Sequence, residues 1–404
     1  MADQPAPRFL DRSTPPHVAT LILISGLSAL AMNIFLPSLP AMAAHFQTDY
    51  SVMQLSVAVY LGFNAVLQIL IGPISDRFGR RPVLLWGMAL FMVATLGCIL
   101  APNATVFLAF RMAQAVIAVA LVLSRAVVRD MYPQDKAASM IGYVTMGMAV
   151  VPMIGPAVGG VLDEVFGWHA NFWLLFALGA LCFWLVRTDL GETARVSGKT
   201  LAQQFREYPD LLTSPRFWGY AAAAGFTSGS FFAYLGGAPF VGTQVFGLDP
   251  STLGLVFGAP AVGYFVGNFL SGRFSVRFGV NRMILWGCMV NAAGLAVSLT
   301  VSLSGYGSVV TFFSFMTLVG LGNGMTVPNA TSGMLSVRPR LAGTASGLGG
   351  AMMLSGGAAL SALAGWALTE GGTEIPLLVI MLMTSLMGVA AILVVYARER
   401  QLFT

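Results

Sequence analysis

The sequence predicts an all-α polytopic membrane protein with twelve transmembrane helices in two pseudo-symmetric six-helix bundles. Three observations carry this expectation. Of the 404 residues, 57% are apolar and only 9% are charged, more apolar surface than a soluble chain of this length can place in its interior. Apolar runs recur along nearly the whole chain, and each stretch of about 20 such residues can cross a ~30 Å hydrocarbon layer as a helix. Finally, a polar stretch at Gly72-Pro-Ile-Ser-Asp-Arg-Phe-Gly-Arg-Arg-Pro82 returns as Gly272-Arg-Phe-Ser-Val-Arg-Phe-Gly-Val-Asn-Arg282, with Leu85-Trp86-Gly87 repeated as Leu285-Trp286-Gly287, a constant offset of 200 residues. Such an offset marks a duplicated unit.

After a polar, proline-bearing tail over 1–17, the first span is expected at Val18–Leu39, ending at Pro37 and Pro40. The tail lacks the basic start and short apolar core of a cleavable signal. Five more spans complete a bundle over 18–187: Val52–Ile71, Val83–Leu100, Val106–Val128, Ala138–Leu162 and Phe172–Val186. The longest polar segment, 188–215, reads as a cytoplasmic linker. A second bundle over 216–397 repeats the plan at Phe217–Pro239, Leu253–Leu270, Met283–Leu303, Ser308–Val327, Ala342–Leu368 and Ile375–Tyr396, with a short tail at 398–404.

Charge distribution sets the orientation. Of the 21 Lys and Arg, all but Arg111 lie in or beside alternate loops, while the intervening loops hold none. That asymmetry follows the positive-inside rule, puts both termini in the cytoplasm and requires an even number of spans. The net charge of +5 is therefore topological, and nucleic acid is not an expected partner. Cys98, Cys182 and Cys288 fall inside spans without disulfide or metal spacing and read as small buried residues. No cofactor motif is present, and small-xxx-small glycine spacings read first as helix packing.

An ionisable residue inside a span is costly and marks a functional suspect. None of the sixteen acids sits in mid-span, and Arg111 is the one cation inside a span on its outer half, about six residues (roughly 9 Å) from the outer end of the fourth helix. Asn33 lies at a similar depth in the first helix, so the two could face one cavity. Gln114 follows Arg111 at i+3 on the same face. Tyr60, Asn64, Phe232, Tyr234, Tyr264, Asn268 and Asn323 complete a candidate lining, mostly apolar with scattered polar points, which suits a small amphiphilic molecule. Each of these is individually consistent with plain packing, and Arg111 with bonding helix carbonyls.

At the inner end, Gly72, Asp76, Arg77, Gly79 and Arg80 meet Arg125, Arg129 and Asp130 from the end of the fourth helix, a set able to latch one conformation. The alternative is a solvated cluster that only sets topology. The fifth helix carries Pro152, Gly155, Pro156 and Gly159, where proline removes a helix bond and glycine admits a close neighbour.

Together these stretches resemble the major facilitator superfamily, in particular twelve-span drug:proton antiporters. Gly72–Arg81 is similar to the family's loop 2–3 signature, Arg111-Met-Ala-Gln114 to its fourth-helix motif with Ala115 in place of the usual glycine, and Gly147–Gly160 to the fifth-helix antiporter motif. Phe35-Leu-Pro-Ser-Leu-Pro40 and Arg125–Pro133 are most similar to the bicyclomycin- and chloramphenicol-resistance (Bcr/CflA) branch. The resemblance implies a monomeric, multi-pass transporter of the cell inner membrane that exchanges protons for small-molecule substrates, without cofactor or metal. It assigns the inner gate to Asp76, Arg80, Arg125, Arg129 and Asp130, the polar centre of the first half to Arg111, and the kink to Gly155 and Pro156. One departure matters: members of the branch carry an aspartate where this chain has Asn33, and an amide cannot bind and release a proton. Either another acid, such as Asp163 or Asp130, takes that role, or coupling is weak or altered.

The expected function is multidrug efflux by alternating access, with neutral or anionic substrates favoured over cations. A specific exporter or uncoupled facilitator for a sugar or amino acid is the nearest alternative. An intramembrane enzyme lacks its motifs: there is no Gly-x-Ser-x-Gly or His-Glu-x-x-His, and His17, His45 and His169 are isolated. A transporter-like sensor would require signalling domains.

Overall fold

The computed structural model describes residues 9–14, 16–131, 151, 154–193, 212–338, 342–368 and 372–403. All regular structure among them is helical. Helix α1 (Val18–Asn33) breaks into a 3-10 turn at Leu36–Ser38 and resumes over Leu39–His45. Next come α2 (Tyr50–Phe78), α3 (Arg80–Ile99) and α4, which runs from Ala104–Gln114 through a 3-10 turn at Ala115–Ile117 into Ala118–Met131. Helix α5 is described over 154–166 and α6 over His169–Asp189. The second half contains α7 (Pro215–Phe240), α8 (Pro250–Phe257 continuing as Ala259–Phe278), α9 (Val280–Leu303), α10 (Val309–Val337), α11 (Ala342–Ala367) and α12 (Ile375–Phe403).

Ten of these are long and apolar enough to cross a membrane, and the chain is a multi-pass membrane protein. Helix α7 has the length but not the hydropathy, because its centre is Ala-, Gly- and Ser-rich, and nearly all of it is buried against other helices. Most of the expected fifth span, together with Pro152 and the middle of the expected linker, lies outside the described residues.

Several boundaries differ from expectation for identifiable reasons. The Gly72–Pro82 stretch is not an extended turn: α2 remains helical through Phe78, and one residue, Gly79, makes the reversal at φ +94°. Its copy does the same at Gly279, φ +87°, with nearly identical ψ (150° and 152°). Only glycine occupies that region cheaply, so the duplication is visible in the backbone itself. Pro82 is tolerated because the first turn of a helix needs no amide donor. The first span kinks where Pro37 and Pro40 cannot continue the hydrogen-bond ladder. The last helix extends through the expected tail to Phe403.

In the first half α3 packs on α4 and α6, and α1 on α4 and α6; in the second, α10 packs on α8 and α9, and α7 on α11 and α12. Across the halves α2 lies along α11 and α5 crosses α8. Both chain ends sit on the face that carries Gly79 and Arg80. His17 and Leu10 donate backbone amides to Asp189 at the end of α6 (2.9 and 2.7 Å), and Val395 of α12 packs on Gly219 at the start of α7. We refer to this end as the basic face and to the other as the opposite face.

The buried core is asymmetric. One apolar cluster fills the first half and continues, toward the opposite face, into Phe232, Tyr234, Leu253 and Phe257 of the second. The second half's basic end, with Phe217, Ile284, Cys288, Met334 and Ile392, forms a separate cluster. The halves thus share a core at the opposite face and part toward the basic face.

Candidate functional site

The polar centre of the first half is built around Arg111, which is 1% exposed. Its Nη2 donates to the Ala31 carbonyl (2.9 Å), Nε to the Ser56 carbonyl (3.3 Å) and Nη1 to Gln114 Oε1 (2.7 Å). Ala31 lies in the last turn of α1 before its break, where carbonyls lack intrahelical partners, so the guanidinium caps that helix. Gln114 in turn donates to Thr95 Oγ1 on α3 (2.8 Å). The guanidinium is sandwiched between the rings of Tyr60 (4.0 Å) and Phe35 (4.4 Å), a cation–π arrangement that strengthens when desolvated. No carboxylate pairs with it among the described residues, whereas Arg80 is paired with Asp130.

The structure brings Arg111, Gln114 and Tyr60 together but places Asn33 elsewhere. Ala31 and Phe35 form the face of α1 that meets Arg111, whereas Asn33 faces Gly155 of α5 and donates to Ala29 of its own helix (2.8 Å). A 3.6-residue period puts residue 33 on the far side from 31 and 35. Equal depth did not mean a shared face. The Asn33 Oδ1, Ser56 Oγ and Tyr60 hydroxyl are buried without partners.

In the second half Asn323 of α10 donates to the Thr227 carbonyl of α7 (3.1 Å), and Asn291 of α9 donates to Ser230 Oγ (3.0 Å). Helices α7, α9 and α10 are the repeat counterparts of α1, α3 and α4, so the two polar centres are equivalently placed. Tyr234 is a packing residue instead: it stacks on Phe257 (4.8 Å) and donates to that residue's carbonyl (2.9 Å). Phe232 is buried against Gly357 of α11.

Between the halves, toward the basic face, the polar edges are Asn64 and Gln68 on α2, hydrogen-bonded at 3.0 Å, and Tyr264 and Asn268 on α8. Asn64/Gln68 and Tyr264/Asn268 stand at the same 200-residue offset as the glycine turns. Arg125 is exposed and interacts electrostatically with Tyr264 across this space. Its interaction with the other half sets it at the edge of the space between the halves.

Of that gate, Arg80 and Asp130 meet at 3.0 Å, and Arg80 also donates to Ser75. Arg77 points outward, over the Phe78 ring at 5.4 Å, as Arg277 does over Phe278 in the copy. The Gly72, Asp76 and Arg129 side chains lie outside the described residues. No pattern in the chain points to Glu192, whose carboxylate accepts the backbone amides of Arg80 (2.8 Å) and Arg81 (3.3 Å). Helix α3 starts after a glycine and has no capping side chain of its own, so a carboxylate beyond α6 supplies the cap. Glu192→Gln is expected to lower stability by roughly 1 kcal/mol, read as a lower unfolding midpoint in detergent. An unchanged midpoint would deny it the capping role.

The opposite face is closed by direct bonds between halves. Tyr50 donates to the Gly236 carbonyl (2.7 Å), and Gln54 of α2 donates to Ser361 Oγ of α11 (2.6 Å). Gly160 and Gly254 let α5 and α8 touch backbone to backbone: a Cβ on Gly160 would overlap the Pro250 carbonyl oxygen, and one on Gly254 that of Pro156. Gln54 and Asn291 are polar groups inside apolar spans, as Asn64 and Asn323 are, and could have been found by that criterion. Their partners could not.

Comparison with known proteins agrees with this architecture. The chain is 30% identical to the uncharacterized MFS-type transporter YdgK of Bacillus subtilis over 91% of its length and 92% of the relative's. It is 32% identical to a chloramphenicol resistance protein of Pseudomonas aeruginosa (85% and 84% covered) and 31% identical to multidrug resistance protein D of Escherichia coli (92% and 93%). Among solved structures, a bacterial homolog of the human lysosomal transporter Spinster, in an inward-facing and occupied conformation, superimposes with a TM-score of 0.73 at 17% identity, covering 95% of this chain and 96% of that one. The model of the Major Facilitator Superfamily matches residues 21–362 and 243–402, and the chain belongs to that superfamily.

Proposed function

We propose that this chain is an efflux transporter of the cell inner membrane that exports small amphiphilic compounds by alternating access. The observation that carries this reading is the asymmetric join: one continuous core and direct bonds at the opposite face, separate cores at the basic face. A molecule with one end sealed and polar helix edges bordering the parted end is arranged to admit substrate from one side and release it to the other after rocking. The arginine-rich turns assign the basic face to the cytoplasm, with both termini there. Relatives named for chloramphenicol and multidrug resistance support drug-like cargo and the Bcr/CflA branch; proton exchange and action as a monomer are carried over from the sequence resemblance. With Arg125 at the edge of the entry space and no carboxylate beside Arg111, neutral or anionic compounds are favoured over cations.

The test is uptake into proteoliposomes under an imposed pH gradient, using a phenicol and a neutral fluorescent dye. Accumulation against the gradient only when ΔpH is present supports proton-coupled efflux; no movement of either compound in any condition sinks it. Asn33, an amide where the branch carries an acid, favours a second reading as an uncoupled facilitator. Downhill flux that becomes uphill in Asn33→Asp would select that reading.

A further inference from the structure

Asp163 occupies an environment unlike that of any other described acid. It sits in the last turn of α5, one residue beyond the expected fifth span, and is 8% exposed. Its Oδ2 is the one buried carboxylate oxygen without a hydrogen-bond partner among the described residues. Among the other described acids, Asp130 pairs with Arg80, Asp189 accepts two backbone amides, Glu192 caps α3, and Glu374, though 7% exposed, has no buried oxygen lacking a partner. Asp249, on the same face as Asp163, accepts bonds from Thr252 and Ser251, which hold its carboxyl down to about 2. Beside Asp163 stands Ser38, whose oxygen already accepts from Asn171 of α6 (3.0 Å), leaving its proton for the carboxyl.

Burial without a counter-charge disfavours the ionised carboxylate, and the negative end of a helix adds to that cost. Burial accordingly pushes the Asp163 carboxyl above the usual carboxylate range, with the Ser38 bond opposing. The neighbouring titratable groups do not offset this. His45 of α1 and His169 of α6 face each other (ring centroids 5.4 Å), Glu164 is exposed, and Asp249 is committed to its own helix end.

What surrounds Asp163 is also what must move. The Leu36–Ser38 turn that covers it packs against α7 and α8 of the other half. Asp163 lies one turn beyond Gly159, which meets Ile34 of α1, and Gly160, where α5 crosses α8. We propose that Asp163 is a proton-binding site of the opposite-face seal: it is neutral when the halves close over the Leu36–Ser38 turn and ionises when they part. This rests on the alternating-access reading above. The sign follows from linkage. The sealed state binds the proton more tightly, so the seal is strongest below the open-state pKa and weakens as pH rises through the higher, sealed-state value.

The experiment uses purified protein without substrate, spin-labelled at Ala44→Cys and Tyr306→Cys, two exposed positions on the opposite face of different halves. The native cysteines are buried. Pulsed distance measurements should show the ratio of open to sealed populations rising as pH is raised above the usual carboxylate range, tenfold for each pKa unit that burial adds. Asp163→Asn should remain sealed throughout and lose the pH dependence, while His45→Gln with His169→Gln should keep it. PH dependence that persists in Asp163→Asn, or that vanishes with the histidines instead, overturns the proposal. Infrared spectroscopy of native protein with isotope-labelled aspartate provides a test without a variant: a protonated aspartyl band that persists to pH above the usual carboxylate range supports the assignment, and its loss within that range overturns it. The readout is a distance and not a flux, so failure to export in proteoliposomes would count against the efflux reading alone.

Discussion

Arg111→Met is expected to abolish transport and to lower the unfolding midpoint in detergent by more than any other single side-chain change in the first half. The guanidinium caps α1 at Ala31, reaches α2 at Ser56, fixes Gln114 and fills the gap between Phe35 and Tyr60. Methionine fills much of the volume but donates nothing. The Ala31 carbonyl and Gln114 Oε1 then remain buried without donors, at about 1–3 kcal/mol each. Arg111→Lys should recover only part of the loss, because an ammonium does not reproduce a planar fork held between two rings. Unfolding in dodecyl maltoside and flux in proteoliposomes report the two effects separately. A stable Arg111→Met protein lacking only transport would mean that Arg111 binds substrate and does not organise the bundle.

Gly160→Val is expected to have the opposite profile, with folding retained and cycling lost. Any side chain at 160 runs into the Pro250 backbone of the other half, and a carbonyl cannot rotate away as a side-chain tip can. Each half keeps its own packing, since Gly160 faces the seam. The variant should therefore express and melt near the native midpoint yet fail to close the opposite face, with flux reduced at least about 100-fold, comparable to the loss of several kcal/mol of closure energy. A control separates this from general disruption. Gly320→Val would drive a side chain into the Pro260 backbone within one half and should unfold the protein. Native flux in Gly160→Val would show that the α5–α8 contact is not part of the cycle.

Much of the architecture was legible because the membrane imposes strong rules. Apolar length gives spans, basic loops give sidedness and a constant offset gives duplication. Those rules located the repeated stretches that contain Gly79 and Gly279, placed Arg80 and Asp130 in one inner set, and put Arg111 and Gln114 on one helix face. They failed where a claim depended on rotation about a helix or on a partner distant in sequence. Asn33 shares its depth with Arg111 but points at α5. The electrostatic link from Arg125 to Tyr264 of the other half was not legible in sequence position. Glu192 caps a helix more than 100 residues upstream.

The sequence by itself determined the class, the spans, the repeat and which residue types are too costly to bury without a reason. Tertiary structure alone decided which polar groups meet, which remain without partners, and at which end the halves touch. The physical reason is that periodicity and hydropathy are properties of one helix in its solvent, whereas a hydrogen bond between Gln54 and Ser361 or an unpartnered oxygen on Asp163 is a property of several helices packed together.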